Sequence, residues 1–260
     1  MAFLQVQFFS EALNVASTVN VILPEPRMGI GISAAEQDAA LPRVLYLLHG
    51  YSDDHSIWMR RTSVERYAAA HQLAVIMPAV NHSFYTNEAQ GERYWDYVSE
   101  ELPAVMHRFF RLSDRPEDTF AAGLSMGGYG ALKLGLSHPE RFAAIGSFSG
   151  AVDIADMAHR KSDGIDNMKR VFGNLRALPG SDNDLFHLLA QHAGDAHRPR
   201  LYISCGTSDF LYHQHRKFVP EAERLGWDVT HFEKPDAVHE WGFWDEQIRF
   251  FIPWMLGEEA

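Results

Sequence analysis

The 260-residue chain has one cysteine, Cys205, so no intrachain disulfide can form. Cys205 ends the apolar run Leu201-Tyr202-Ile203-Ser204-Cys205, where a buried core thiol is expected in place of a reactive one. No stretch approaches the roughly 18 apolar residues of a membrane span. The first residues, Met1 to Phe9, lack the basic start and apolar centre of an export signal. A cytoplasmic protein with no membrane partner is the expectation. Lys and Arg number 23 against 34 Asp and Glu, a net charge of −11, and no basic run is present. Such a balance argues against a nucleic-acid or anionic-lipid surface. Metal and nucleotide signatures are missing too: there is no C-x-x-C, no Walker A, and no G-x-G-x-x-G in a suitable place. His239-Glu240 lacks the second histidine of H-E-x-x-H, and His213 and His215, two apart on an expected helix, point in different directions. No metal and no cofactor are expected.

What is present is an ordinary globular composition, 46% hydrophobic and 22% charged, at a length that one α/β domain, residues 1–260, can fill. The organising stretch is Phe120 to Leu132, which contains Gly123-Leu124-Ser125-Met126-Gly127, a G-x-S-x-G match. In a nucleophile elbow a strand runs into a helix through a tight turn, and the serine at its apex is held in a strained backbone that pushes the hydroxyl outward. Glycines on either side let strand and helix approach closely. The five-residue motif is weak alone, and its flanks decide. Thr119 to Ala122 is a short, mostly apolar run suited to a buried strand. Tyr129 to Leu136 reads as a helix with small residues on one side, ended by Pro139. The nearby Gly146-Ser147-Phe148-Ser149-Gly150 has Phe at its centre and is no elbow.

The rest of the chain alternates strands and helices, which implies a mostly parallel sheet covered on both faces. Residues 3 to 9 and 19 to 23 are expected as an antiparallel edge, followed by a loop marked by Pro24, Pro26, Gly29 and Gly31 and continuing to Pro42. Arg43 to Leu48 is a near-continuous apolar strand with His49-Gly50-Tyr51 at its C-terminal end, where active-site loops of such sheets gather. A helix over 57–70, a strand over 73–77, an aromatic loop with His82, Phe84, Tyr85, Tyr94 and Trp95, and a helix over 97–111 follow. That loop reads equally as core packing or as a pocket wall. Pro103 fits its helix only in the first turn or at a kink. Residues 142 to 148 form a further strand. Residues 151–199 read as a small insertion or lid with a helix near 185–191. Last come a strand at 201–205, a helix at 213–225 closed by Gly226, a strand at 228–233, the loop Pro235 to His239, and an amphipathic helix over 244–255.

A serine hydroxyl needs a base to take its proton and a carboxylate to orient that base. On an α/β-hydrolase sheet these follow in the order Ser, acid, His. Ser125, Asp209 and His239 satisfy it, with Asp209 just past a strand and His239 in the loop after the last one. Asp236, three residues before His239, is the competing acid. The oxyanion donors expected are the amides of Met126, after the nucleophile, and Tyr51, after His49-Gly50. Gly50 lets substrate approach the backbone, and Trp241 can close the pocket.

These residues resemble the esterase D family of α/β hydrolases, particularly bacterial tributyrin, acetyl and feruloyl esterases. The resemblance rests on Leu47-Leu48-His49-Gly50, Gly123 to Ala131, His138-Pro139-Glu140-Arg141-Phe142, Gly206-Thr207-Ser208-Asp209 and His239-Glu240-Trp241. It implies the α/β-hydrolase fold, hydrolysis of short-chain acyl esters without a cofactor, and the triad Ser125, Asp209 and His239. It also implies a small-molecule ester as partner, and homo-oligomers are frequent in the family. S-formylglutathione hydrolases share the family but usually differ from Leu48-His49-Gly50-Tyr51 in this loop. Mycolyl-type acyltransferases share the fold and are exported. The leading expectation is a serine carboxylesterase. Thioester hydrolysis is the alternative within the same chemistry. A noncatalytic binding protein on this scaffold would be marked by a lost triad member, and none is lost.

Overall fold

The computed structural model describes residues 1–25, 41–159 and 167–258. Its strands are β1 (Ala2–Ser10), β2 (Val15–Leu23), β3 (Arg43–Leu48), β4 (Leu73–Pro78), β5 (Thr119–Leu124), β6 (Ala144–Phe148), β7 (Arg200–Gly206) and β8 (Val229–Lys234). They form one eight-stranded sheet in the order β1-β2-β4-β3-β5-β6-β7-β8. The β1–β2 and β2–β4 pairs are antiparallel, and all later pairs are parallel. This is the α/β-hydrolase arrangement, with β5, the strand of the elbow, in the interior. Most of the expected loop before Pro42, residues 26–40, and part of the expected insertion, 160–166, lie outside the described residues.

The apolar runs are continuous because both faces of the central strands are covered. Val44, Tyr46 and Leu48 of β3 pack on one face with the helix Met126–Ser137. Leu45 and Leu47 point the other way, into a core built from Trp58, Ile248 and Phe251. Each such side chain, when fully buried, contributes about 1.5–3 kcal/mol. Cys205 is buried in β7, and burial pushes its thiol well above the ordinary range.

Three elements differ from the periodicity. The helix expected over 57–70 is two, Ile57–Arg61 and Val64–Ala69. Thr62 separates them in extended backbone; its hydroxyl donates to Trp58 O at 2.5 Å and accepts from Val64 N at 3.2 Å. This local side-chain bonding competes with the helix ladder. The helix expected over 97–111 begins at Tyr94, passes through a π-helical turn, Tyr97–Glu101, and ends at Phe109. Pro103 lies just after that turn. It cannot donate to the carbonyl four residues back, that of Ser99, which accepts instead from Arg141 Nη1 at 2.9 Å. The last helix starts earlier than expected and runs Trp241–Met255, so Trp241 stands in its first turn.

Candidate active site

Ser125 joins β5 to the helix Met126–Ser137 at φ 52° and ψ −117°. A non-glycine residue holds that conformation only when its surroundings impose it. Here Ser125 N donates to Phe148 O at 2.9 Å, and Ser125 O accepts from Tyr129 N and Ala151 N, each at 3.1 Å. Glycine is required on either side. A Cβ on Gly123 would lie 2.5 Å from the carbonyl carbon of Gly127, and one on Gly127 would lie 2.7 Å from His49 O.

Asp209 follows β7, and its side chain is fully buried. Oδ2 lies 2.8 Å from His239 Nδ1, and Oδ1 accepts from Leu211 N at 2.8 Å. Burial works against the charge on Asp209, but hydrogen bonds from His239, Leu211 and the Ser149 hydroxyl outweigh it and hold the carboxyl below its ordinary range. Because an ionised carboxylate only accepts, Nδ1 of His239 carries the proton and Nε2 is left basic. The loops that carry the pair are laced together: Thr207 N donates to Lys234 O and Ser208 N to Ala237 O, both at 3.0 Å. Asp236 is elsewhere. It is exposed at φ 60°, with its amide on Thr207 Oγ1, as a turn residue.

Ser125, Met126, Gly50, Tyr51, His239 and Trp241 all line one cavity of about 490 Å³. Met126 is the first helical residue, so its N–H has no partner within the helix. The loop bearing Gly50 and Tyr51 is braced from behind. Val80 N donates to His49 Nε2 at 3.0 Å, which leaves the proton on Nδ1 to donate to Gly50 O at 2.7 Å. Burial lowers His49 to about 4, so it stays neutral. The Tyr51 ring stacks on His82, with centroids 4.3 Å apart, and its hydroxyl donates to Asn167 Oδ1 at 3.0 Å.

Several site residues were not legible in the sequence. Asp53, Met157, Phe210 and Glu240 also face the cavity. Phe210 lies against His239 at 4.6 Å between centroids, and Trp244 meets the same ring edge-on at 4.8 Å. Ser149, at φ 47°, accepts from Trp244 Nε1 at 3.2 Å while bonding Asp209. It belongs to the Gly146–Gly150 stretch that resembles an elbow without being one, and that serine-rich strand end was the only available signal. The aromatic loop divides: Phe84 is cavity wall, Tyr85 is wholly buried, and Trp95 stacks on His138 away from the site.

Residues 10–249 match the Esterase family model, described as "Putative esterase". The chain is 32% identical to an acetyl esterase of Caldicellulosiruptor saccharolyticus, with 98% of each chain covered. Among solved structures it is similar to FphF, a fluorophosphonate-binding serine hydrolase of Staphylococcus aureus, at 34% identity and a TM-score of 0.88 with 98% of each chain covered. It is similar to the S-formylglutathione hydrolase FrmB of the same organism at 34% identity and a TM-score of 0.85, again over 98% of each chain. A ferulic acid esterase at 20% identity and a TM-score of 0.80, covering 98% of this chain and 97% of that one, shares the fold. The chain belongs to the esterase family, as an ester-hydrolysing enzyme of the α/β-hydrolase fold.

Proposed function

We propose that the protein is a serine carboxylesterase that hydrolyses short-chain acyl esters, with Ser125 as nucleophile, His239 as base and Asp209 as the orienting acid. The observation that carries this reading is the strained Ser125 sharing a cavity with a histidine whose Nδ1 is held by a buried carboxylate. His239 Nε2 takes the hydroxyl proton as Ser125 Oγ attacks the ester carbonyl. The amides of Met126 and Tyr51 stabilise the oxyanion of the tetrahedral intermediate. His239 then protonates the leaving alcohol, and water resolves the acyl-enzyme by the same route. Every step is carried by side chains and backbone, and no cofactor enters. Substrate packs between Gly50 and Trp241, with residues 151–199 as a short lid on one single domain. The location proposed is cytoplasmic, without a nucleic-acid or membrane partner.

A thioester reading is favoured by the likeness to FrmB. Against a substrate bearing several carboxylates stands the lining itself: Asp53 and Glu240 face the cavity, and no Lys or Arg does so among the described residues. Matched oxygen and sulfur esters of one acyl group distinguish the two. The site is tested by Ser125→Ala. Loss of turnover with an unchanged fold by circular dichroism supports it, and full residual activity overturns it.

A further inference from the structure

Lys133 lies within the helix that begins after Ser125, and only 3% of it is exposed. An unpaired buried cation is costly. Yet no carboxylate pairs with this ammonium among the described residues. Nζ donates to Thr86 Oγ1 at 2.9 Å and to Asn183 Oδ1 at 2.7 Å, and it sits 4.4 Å above the centre of the Trp95 ring. Asp96 and Asp182 act on it only through their field. A second cavity, of about 350 Å³, opens beside it between Trp95, His138, Asp182 and His192. The two hydrogen bonds and the ring contact offset part of that cost, and they tie together the nucleophile's helix, the aromatic loop and the segment around Asn183.

The aromatic loop needs holding. Phe84 and Tyr85 are consecutive, wholly buried, and both at φ 51°, a strained conformation for aromatic residues. Thr86 follows directly, and its hydroxyl, which takes the Lys133 hydrogen bond, also lies 3.1 Å from Phe84 O. From this turn two contacts lead to the oxyanion loop. Tyr85 Oη donates to His49 O at 2.9 Å, and the Phe84 ring meets that of Tyr51 at 5.8 Å between centroids. His49 in turn holds Gly50 O.

We infer that Lys133 is a positioning residue for the oxyanion loop, acting through Thr86 and the strained Phe84–Tyr85 turn. The inference rests on the proposed role of the Tyr51 and Met126 amides. An interaction felt only in the transition state lowers kcat and kcat/KM together and leaves KM alone. A residue needed only for folding lowers the number of active sites, and each remaining site works normally.

The test is Lys133→Met, Thr86→Val and the double variant, assayed on p-nitrophenyl acetate and normalised to sites titrated with a serine-directed phosphonate. The expected result is a loss of tenfold or more in kcat per titrated site for Lys133→Met, with KM within threefold. Thr86→Val, which keeps the shape of Thr86 and the Lys133–Asn183 hydrogen bond but removes the Thr86 Oγ1 contacts with Lys133 Nζ and Asn183 Oδ1, should lose kcat in the same direction. The double variant should be no worse than the worse single, because the two act in series. A kcat per site within twofold of the parent overturns the inference, as do fully additive losses. If Lys133→Met yields no folded protein, Thr86→Val alone decides: lower kcat at constant KM supports the relay, and unchanged kcat overturns it. The catalytic reading fails on a different observation, a fully active Ser125→Ala protein, and the inference falls with it.

Discussion

Asp209 Oδ2 lies 2.8 Å from His239 Nδ1 while Asp209 Oδ1 accepts the Leu211 amide at the same distance, so both carboxylate oxygens are committed and the histidine tautomer is fixed. Asp236, close to His239 in the chain, is exposed and plays no part in that contact.

Asp209→Asn should therefore lower kcat about 10⁴-fold, the scale of losing the correct histidine tautomer and the stabilisation of its charged form. Asp236→Asn should change kcat less than threefold. Steady-state kinetics of both variants check this, and the reverse ranking would move the acid to Asp236.

The elbow admits no Cβ. Gly127→Ala would set a methyl carbon 2.7 Å from His49 O, against backbone that cannot swing away. A loss of about 3 kcal/mol is expected, read as a lower urea midpoint at unchanged m-value. At Gly194 a Cβ meets nothing within 4 Å, and Gly194→Ala should leave the midpoint within experimental error.

Lys133 gives a pH signature. Burial lowers its pKa to about 7 from the ordinary lysine value of 10.5, so between these limits the unfolded chain binds more protons than the folded one. Stability contributed by this group then rises with pH across that window, and the penalty for the buried charge is fully present below pH 7. Urea titrations at several pH values should show a rise from pH 7 toward 10 in the parent, reduced in Lys133→Met. Equal slopes would show that Lys133 titrates normally.

The cavity, of about 490 Å³, is walled by Phe84, Trp241 and Trp244, and each extra acyl methylene gains about 0.8 kcal/mol only while it fits. The value of kcat/KM on p-nitrophenyl esters should peak between acetyl and butyryl and fall steeply by octanoyl, measured below micelle-forming concentrations. A maximum at decanoyl or longer would require a deep acyl tunnel.

The local signals in the sequence located the elbow, the order of strands and helices, and Asp209 and His239 at strand ends, because each is dictated by neighbours in the chain. What periodicity cannot carry is contact between distant segments. The π-helical turn before Pro103 is coupled to Arg141 from another element. Ser149 gains its role only when Trp244 and Asp209 reach it. Lys133, on a helix read for the small residues along one side, reveals its partners only where Thr86, Trp95 and Asn183 converge. The division of the aromatic loop between cavity and core has the same origin.

The central claim, covalent catalysis by Ser125, is tested most directly by acid-quenching the enzyme within one turnover of p-nitrophenyl butyrate and mapping the acylated peptide by mass spectrometry. The account predicts one butyryl group on Ser125, absent from Ser125→Ala. An acyl group on another residue, or rapid turnover by Ser125→Ala with no acyl-enzyme, would contradict it.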